Sequence, residues 1–390
     1  MPRSTPAADP PSASTAFKDQ IDAALVARLS AALVRADPSF GATGFRRVAT
    51  RGLADLELKA RIRHVAEALD RYLPRPFPEG AVRVRRRLAL PVAHEGDPPG
   101  GLSGWDLWPV PEWVMLAGRD EPEVALELLA TCTRWASGEF AIRPFIDDDP
   151  AAVMARLRTW AARDDEHVRR LCTEGTRPLL PWAPRLAAAR TDPGFAVELL
   201  DRLVDDPSEF VRRSVSNHLN DLCKLDPGLA VDLAGSWTQR HAAGTTGSAR
   251  VDWVVRRGLR TLVKAGDPDT LRLLGHDPDL ALRARLTLGT PVVHLGGAAT
   301  WELRLRSEAS RSASVVVDYA IGFLRADGTP GRKVFKWTTR ELAPGQELVL
   351  ERRHRITPIS IRTYRTGTHP LEVQVNGRVV ASTTFELVAD

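Results

Sequence analysis

Two domains of different class are predicted for this chain of 390 residues: an all-α solenoid of HEAT-like helical repeats, followed by an all-β immunoglobulin-like sandwich. Apolar residues recur at helical spacing from Phe17 to about Leu286, and after Pro291 they alternate with period two. A repeat of two-helix length also runs through the helical part. The predicted domains are a disordered tail (1–18), the helical-repeat domain (19–288) and the sandwich (289–390).

The start of the chain and the cysteines exclude several classes of protein. The first 16 residues are rich in Pro, Ala and Ser and lack the apolar run of a secretory signal. No later stretch approaches the ~18 apolar residues of a spanning helix. Cys132, Cys172 and Cys223 lie far apart, with no histidine at metal-ligand spacing. We therefore expect a cytoplasmic monomer without membrane contact, metal or cofactor.

Asp-Pro steps punctuate the helical part. An Asp before a Pro suits an N-cap followed by the first helical position, so each step predicts a helix start. The steps are Asp37-Pro38, Asp149-Pro150, Asp192-Pro193, Asp206-Pro207, Asp226-Pro227, Asp267-Pro268 and Asp277-Pro278.

The repeat is carried by a Val-Arg-Arg step that occurs three times, 43 and 44 residues apart. This spacing is within the range of HEAT-type repeats. The valines, Val168, Val211 and Val255, are expected to pack inward. The first arginine of each pair, Arg169, Arg212 or Arg256, either lines a concave surface that contacts DNA phosphates or belongs to a solvated helix face with i,i+4 ion pairs. Spacing alone favours neither interpretation.

The predicted sandwich has about seven short strands separated by turn signals such as Asp327-Gly328 and Asn376-Gly377. A linker is expected near residues 289–298. From Pro291 onward there are 14 Lys and Arg against 10 Asp and Glu, which is most of the chain's net charge of +5. The basic run 352–355 either forms an exposed strand face or faces DNA.

Longer strings are more specific than the repeat period. They are DLELKARIRHVAEALDRYLP (55–74), EFAIRPFI (139–146), EGTRPLLPWA (174–183), SEFVRRSVSNHLND (208–221) and, in the sandwich, VDYAIGFLRADGTPGRKVFKW (317–337). Together they resemble the AlkC family of DNA alkylation-repair glycosylases, in its longer subtype with an Ig-like domain. The resemblance covers residues 20–388. It implies hydrolysis of the N-glycosidic bond of cationic alkylated bases, 3-methyladenine and 3-methylcytosine, in duplex DNA.

The chemistry of that reaction defines what the site must supply. A base alkylated at a ring nitrogen is cationic and is already a good leaving group, so no protonating acid is needed. The enzyme must stabilise an oxocarbenium-like sugar and orient a water, and a carboxylate suits both roles. Aromatic faces hold cationic purines or sugars, and arginines hold phosphates.

Glu139 is the first candidate for the carboxylate, since the resemblance makes it the catalytic glutamate. Without the resemblance it reads as an acidic residue in a first helical turn, favoured by the helix dipole. Trp135, one turn earlier, is expected to pack in the core.

Asp221 ends the third string and is, by the resemblance, a second catalytic acid; otherwise it caps the following helix or turn. Asn217 and His218 lie within about one turn of it and are candidate DNA contacts. A hydrogen-bonded structural role is the favoured interpretation of His218.

Trp182 lies between Pro181 and Pro184, where a rigid loop would hold out its ring. The resemblance makes Trp182 the sugar or base contact and Arg177 a phosphate or backbone clamp, whereas a packing role would have Trp182 seal the end of a helix pair. Arg143 either pairs with the aspartates 147–149 or contacts DNA.

We therefore predict a monofunctional DNA glycosylase, associated with the nucleoid, that acts on a base still largely stacked, as the resemblance implies. No lysine in the site strings offers a Schiff-base nucleophile. The alternative is a non-catalytic HEAT-repeat scaffold that binds DNA or a protein. Acids at Glu139 and Asp221 in a basic concavity favour the enzyme.

Overall fold

The computed structural model describes residues 16–87, 102, 104–242, 247–358 and 363–389. The predicted disordered tail, residues 1–18, lies mostly outside this range. Its end does not, because Phe17–Gln20 already form a 3-10 turn. Sixteen α-helices and then eight β-strands follow within the described residues, so the predicted change of class from helix to strand is confirmed.

Helical hairpins build the first of two compact units, which ends at Val215. Its largest fully buried side chains include Trp113, Trp160 and Phe45. The helices that lie wholly in this unit are α1 Ala23–Ala36, α2 Ala42–Thr50, α3 Leu58–Tyr72, α4 Phe77–Arg85, α5 Pro109–Ala117, α6 Pro122–Cys132, α7 Arg143–Asp148, α8 Pro150–Trp160, α9 Glu166–Glu174, α10 Ala187–Thr191 and α11 Val197–Leu203.

The second unit, from Ser216 on, contains the last helices and the sandwich. Helix α12 (Glu209–Leu225) begins before its boundary. The other helices are α13 Pro227–Arg240, α14 Ser248–Gly258, α15 Arg260–Ala265 and α16 Pro268–Leu273. The strands are β1 Leu282–Leu288, β2 Val292–His294, β3 Ala298–Ser307, β4 Ala313–Leu324, β5 Pro330–Leu342, β6 Glu347–Arg355, β7 Gly367–Val375 and β8 Arg378–Val388.

The predicted Asp-Pro helix starts are confirmed at three of seven steps. Asp149, Asp226 and Asp267 each accept a hydrogen bond from a backbone N–H three residues on, and proline occupies the first helical position. The prediction is wrong at Asp37 and Asp192, which end α1 and α10. At Asp206 and Asp277 the carboxylate instead accepts the N–H two residues on, in a turn.

The eight strands form two sheets, of order β1-β3-β6 and β2-β8-β7-β4-β5. Alternate side chains of both sheets, among them Trp301, Leu303, Tyr319 and Phe385, make a shared core. Strand β1 pairs along its length with β3, so the sandwich begins before the predicted boundary at residue 289. The expected linker is absent from 289–298, where β2 pairs in parallel with β8.

The junction of the last helices with the sandwich is closely packed. Gln374 Nε2 donates to the Lys264 carbonyl oxygen at 3.3 Å, and Asn376 Nδ2 donates to that of Asp277 at 2.8 Å. Gly266 and Gly377 have φ of 78° each and face each other, so that a Cβ on Gly266 would lie 2.6 Å from the Gly377 oxygen. Helices and sandwich within this unit are therefore joined through an interface in which a side chain at Gly266 or Gly377 would force the backbone to shift.

Candidate active site

Glu139 lies in the turn between α6 and α7, with a side chain that is 13% exposed. Its Oε2 atom is buried and accepts no hydrogen bond from the described residues. Arg170 Nη1 lies 3.5 Å from this oxygen, beyond the usual length of a hydrogen bond. A buried carboxyl oxygen without a donor is costly in a purely structural role, and this marks Glu139 as a candidate for chemistry.

Arg170 joins Glu139 to a second buried carboxyl, that of Glu174. Its Nη2 atom lies 3.7 Å from Glu174 Oε2, and its Nη1 atom donates to Ser137 Oγ at 2.9 Å. The guanidinium also lies over the Phe210 ring, 4.8 Å from the centroid. The Arg170 guanidinium therefore lies between the carboxyl groups of Glu139 and Glu174. Its contacts with Ser137 and Phe210 hold it in this position.

Glu174, the last residue of α9, is more fully satisfied than Glu139. Arg177 Nη1 donates to its Oε1 at 2.7 Å, and Ser214 Oγ donates to its Oε2 at 2.7 Å. Thr173 Oγ1 in turn donates to Ser214 Oγ at 2.7 Å. These contacts orient the Glu174 carboxylate from both of its oxygens.

The pKa values of the Glu139 and Glu174 carboxyl groups are shifted in opposite directions. Burial raises the pKa of the Glu139 carboxyl above its ordinary value and Glu174 adds to the rise, while Arg170 opposes it. Burial also disfavours the charged form of Glu174. Arg170, Arg177 and the Ser214 hydrogen bond outweigh burial there, so the pKa of Glu174 is lowered. Such a pair can divide the work of base and electrostatic stabiliser.

Trp182 is held out on a strained loop. Its φ of 67° is rare for a residue with a large side chain, and the residue is 67% exposed. Lys59 Nζ donates a hydrogen bond to the Trp182 carbonyl oxygen, and Arg143 Nη2 donates to that of Pro184 at 2.7 Å. Strain of this kind persists only where the surroundings impose it, and it clusters at functional sites.

A cavity of about 460 Å³ adjoins these groups within the first unit. Its lining residues include three aromatic ones, Trp108, Phe140 and Trp182, and also Glu139. Lys59 also lines it, with its ammonium 5.3 Å from the Phe140 ring centroid. Aromatic faces beside a carboxyl suit a flat cation.

Arg143 and Arg177 point inward. Arg143 is buried and donates to the carbonyl oxygens of Gly175 at 3.0 Å and Arg177 at 2.9 Å, besides that of Pro184. Through these hydrogen bonds Arg143 connects the 175–184 segment to α7, while its contact with DNA stays a prediction. Arg177 is also buried, against Glu174.

The three repeat valines are buried, or nearly so, as expected, but their arginines differ from one another. Arg169, with a side chain 12% exposed, pairs with buried Asp206 at 2.7 Å. Arg212 donates to the Asp206 and Pro207 carbonyl oxygens. Arg256 is exposed and pairs with Asp252 four residues away. For Arg169 and Arg212 these contacts lie within the protein, and the contact of the three arginines with DNA phosphates stays a prediction.

Asp221 and His218 are buried in α12, and Asn217 is half-buried. Arg260 Nη2 donates to Asn217 Oδ1 at 3.4 Å. These three residues belong to the second unit, whereas Glu139 belongs to the first. Trp135 is 37% exposed, with Arg134 over its ring, so the expectation that it packs in the core is wrong.

Sequence reasoning missed Glu174 and Arg170. A signal for Glu174 was present, because both site strings open on a glutamate that precedes an Arg-Pro step: Glu139 before Arg143-Pro144, and Glu174 before Arg177-Pro178. Arg170 is the second arginine of the first repeat step. No local pattern distinguishes it from Arg213, which makes an exposed ion pair with Glu209.

The described part of the chain contains neither a metal-binding cluster nor a membrane-spanning helix. No group of three or more His, Cys, Asp or Glu residues there has the arrangement of a metal site. Nor does any helix described in the structure have the length and apolar content needed to cross a membrane.

Fold and site define a class: helical-repeat proteins with a C-terminal Ig-like domain and a buried pair of carboxyls. A family described as the C-terminal Ig-like domain of the uncharacterised protein YhaZ matches residues 283–389. The chain is 32% identical over 335 residues to uncharacterized protein YhaZ of Bacillus subtilis, covering 85% of this chain and 88% of that one.

A solved structure resembles nearly the whole chain. The alkylpurine DNA glycosylase AlkC of Pseudomonas fluorescens, bound to DNA containing an abasic site analog, is 31% identical with a TM-score of 0.86. The match covers 96% of this chain and 100% of that one. The chain therefore belongs to the family of AlkC-type DNA glycosylases, in the form that carries a C-terminal Ig-like domain.

Proposed function

We propose that this protein is a DNA glycosylase that hydrolyses the N-glycosidic bond of cationic alkylated bases in duplex DNA, with 3-methyladenine and 3-methylcytosine as its substrates. The observation that carries the proposal is the pair of buried carboxyls around one arginine, beside a cavity bordered by an exposed, strained Trp182. A scaffold gains nothing from burying two acids side by side.

The different pKa shifts of the two acids suit two roles. Glu174, held ionised, stabilises positive charge on the sugar as the C–N bond breaks. Glu139, with its pKa raised and one oxygen free of hydrogen bonds from the described residues, accepts a proton from the attacking water. The base leaves neutral, since its positive charge is cancelled by the bonding electrons. Asp221 is the further acid that we assign to the reaction.

The aromatic groups serve recognition. Trp182 offers an exposed ring to the sugar or base, and the cation–π attraction is strongest for indole. A methylated purine or cytosine carries its charge in the ring, so these faces favour it over the neutral base. In line with the family resemblance, we infer that the base is attacked while it is still largely stacked.

The proposed enzyme is monofunctional. One lysine, Lys59, is present among the described residues that line the cavity. Its ammonium donates a hydrogen bond to the Trp182 carbonyl oxygen and lies over the Phe140 ring. These contacts occupy the ammonium group, so we assign Lys59 no role as a Schiff-base nucleophile. Borohydride should therefore trap no covalent complex with damaged DNA. A trapped complex that disappears in Lys59→Met would contradict this part of the proposal.

The decisive experiment is base release. Duplex DNA methylated by a simple alkylating agent is incubated with the protein, and released bases are separated by chromatography. We expect 3-methyladenine and 3-methylcytosine above the spontaneous rate, and abasic sites without strand breaks. Folded wild-type protein that releases neither base would exclude the glycosylase and leave the scaffold interpretation.

A further inference from the structure

The cavity beside Glu139 has the size of a binding site for a small molecule. Its volume of about 460 Å³ is within the range of small-molecule sites in proteins, about 300–1,000 Å³. Residues of α3, α5 and α7 and the loop of Trp182 contribute to its lining, and every described lining residue belongs to the first unit. The proposed hydrolysis uses only Glu139 and Trp182. The rest of the cavity therefore has no role in that reaction.

Apolar side chains of this cavity remain open to water. Trp108, Met115 and Phe140 are half-buried, and Trp182 is 67% exposed. Apolar surface in contact with water costs free energy, which a ligand that covers this surface recovers. Aromatic rings pack well against other flat rings. We call this site the aromatic cavity, after its three aromatic lining residues, and its composition favours a flat, largely apolar ligand.

The charges around the aromatic cavity are balanced in sign. Its described lining residues include as many basic as acidic side chains: Lys59, Arg119 and Arg143 against Glu112, Glu139 and Asp147. Arg119 pairs with Asp148, and Glu112 pairs with Arg63 at 3.1 Å. The lining thus has no excess of positive charge that would attract a phosphate group. This balance favours an uncharged base over a nucleotide as the ligand.

Glu139 brings a polar group with an incomplete set of hydrogen bonds to this cavity. Its Oε2 atom accepts no hydrogen bond from the described residues. In the proposed reaction Glu139 accepts a proton from the attacking water, and its raised pKa favours the protonated form. A protonated carboxyl group is a hydrogen-bond donor. When the base leaves the sugar, Glu139 can therefore donate to one of the ring nitrogens of the free base.

We propose that the aromatic cavity is a binding site for the free base after its release from DNA, with Glu139 as the hydrogen-bond donor. The inference rests on the proposed function in taking a methylated purine or cytosine as the product. A base that is attacked while stacked reaches the cavity only after the C–N bond has been broken. The free base then occupies a site that adjoins the catalytic groups, so it should act as a product inhibitor.

The test measures binding of free 3-methyladenine to the full-length protein without DNA, by isothermal titration calorimetry. Met115→Trp fills the cavity from α5. Leu116→Trp is the matched control, because Leu116 is the next residue of that helix, is half-buried and is not among the lining residues. We expect the wild type and Leu116→Trp to bind the base, and Met115→Trp to lose affinity by about tenfold or more. Trp108→Leu, which removes an aromatic ring without filling the cavity, should also bind about tenfold more weakly.

Inhibition of base release provides the second measurement. Free 3-methyladenine should inhibit the wild type at concentrations near its Kd, whereas 2-deoxyribose should neither bind nor inhibit. Folded wild type that binds no free base would overturn the proposal, and so would equal affinities of Met115→Trp and Leu116→Trp. If single-turnover excision in Met115→Trp fell as far as its affinity, the cavity would hold the base before cleavage, which also contradicts the proposal. The titration contains no DNA, so binding without any base release would contradict only the proposed function.

Discussion

The guanidinium of Arg170 lies 3.5 Å from the Glu139 carboxyl, yet Oε2 of that carboxyl accepts no hydrogen bond from the described residues. The same guanidinium also serves Glu174, whose two oxygens are both satisfied. One cation therefore leaves two neighbouring acids in different states: Glu174 is stabilised as a carboxylate, and Glu139 keeps a raised pKa.

Replacing Glu139 by Gln should lower the rate of base release by about 10²-fold or more, because the proton acceptor is lost. DNA affinity should stay the same or rise, since a negative charge near phosphates is removed. Single-turnover excision and anisotropy measure the two effects. Asp221→Asn should act in the same direction on excision. Glu112→Gln is the matched control, since Glu112 lines the same cavity but is paired with Arg63. Equal losses in the Glu139 and Glu112 variants would contradict a special role for Glu139.

The stability of the two acid variants should depend on pH with opposite sign. Because burial raises the pKa of Glu139, ionisation of this residue lowers the stability of the wild type as pH rises through that pKa. The melting temperature of Glu139→Gln should therefore rise relative to that of the wild type as pH approaches neutrality. Glu174 has a lowered pKa, and its stabilising contribution is present above the ordinary glutamate value and is lost as pH falls through the lowered one. Glu174→Gln should thus melt below the wild type at neutral pH, with a gap that closes in acid. If the stability of both variants, relative to the wild type, changed with pH in the same direction, the opposite pKa shifts of the two acids would be contradicted.

Trp182 should matter for excision and little for folding. Trp182→Ala should reduce base release by about 10- to 100-fold, the value of one stacking contact, while Trp182→Phe keeps most of the rate. Trp182→Asn should lose activity like the alanine variant and keep or slightly raise the free energy of unfolding, because Asn tolerates positive φ. A large loss of stability in all three variants would indicate that the ring seals the helices.

Arg143 should behave as a structural residue. Arg143→Met removes the donors of three backbone carbonyl oxygens in a buried region, and we expect a loss of about 3 kcal/mol or more in the free energy of unfolding. Its DNA salt slope should be unchanged. Arg256→Met, at an exposed arginine, should change stability by less than about 0.5 kcal/mol. Chemical denaturation and binding over a range of salt concentrations would measure both, and a lowered salt slope in folded Arg143→Met would restore the predicted DNA contact.

The junction in the second unit gives a prediction with a close control. Gly377→Ala should destabilise the protein by about 1–3 kcal/mol more than Gly328→Ala. Both glycines have φ near 80°, so both variants carry the backbone strain. A Cβ at Gly377 would lie 2.8 Å from the Gly266 carbonyl oxygen, whereas Gly328 has nothing within 4 Å. Equal melting temperatures of Gly377→Ala and Gly328→Ala would show that the close contact between Gly266 and Gly377 does not contribute to the free energy of unfolding.

The pairing of β1 with β3 determines where the sandwich can be removed from the helices. Our sequence-based boundary at residue 289 would retain β1 and remove its partner β3. It would also remove the groups that contact Lys264 and Asp277. The helical part ends with α16 and the turn after it, so a cut before Leu282 preserves whole elements.

Much of the architecture was determined by the sequence itself. The change from helical spacing to period two separates the helices from the strands, and the Val-Arg-Arg step correctly predicts three inward valines, Val168, Val211 and Val255. These features are local, because the periodicity of a segment depends on its own side chains. The strings that carry the family resemblance also led directly to Glu139 and Trp182.

Only the tertiary structure decided what the charged side chains do. Arg143, Arg169 and Arg170 look alike in sequence, yet one binds carbonyl oxygens, one pairs with Asp206, and one joins two acids. The contacts of Glu174 with Arg177 and Ser214 were likewise visible only in the tertiary structure. Arg170 meets Glu174 within its own helix, but Glu139, Asp206 and Gly175, the partners of Arg170, Arg169 and Arg143, lie on other segments more than 30 residues away. Burial then decides whether such a pair is isolated from water. The assignment of such residues therefore depends on how the helices pack, which no pattern along one helix contains.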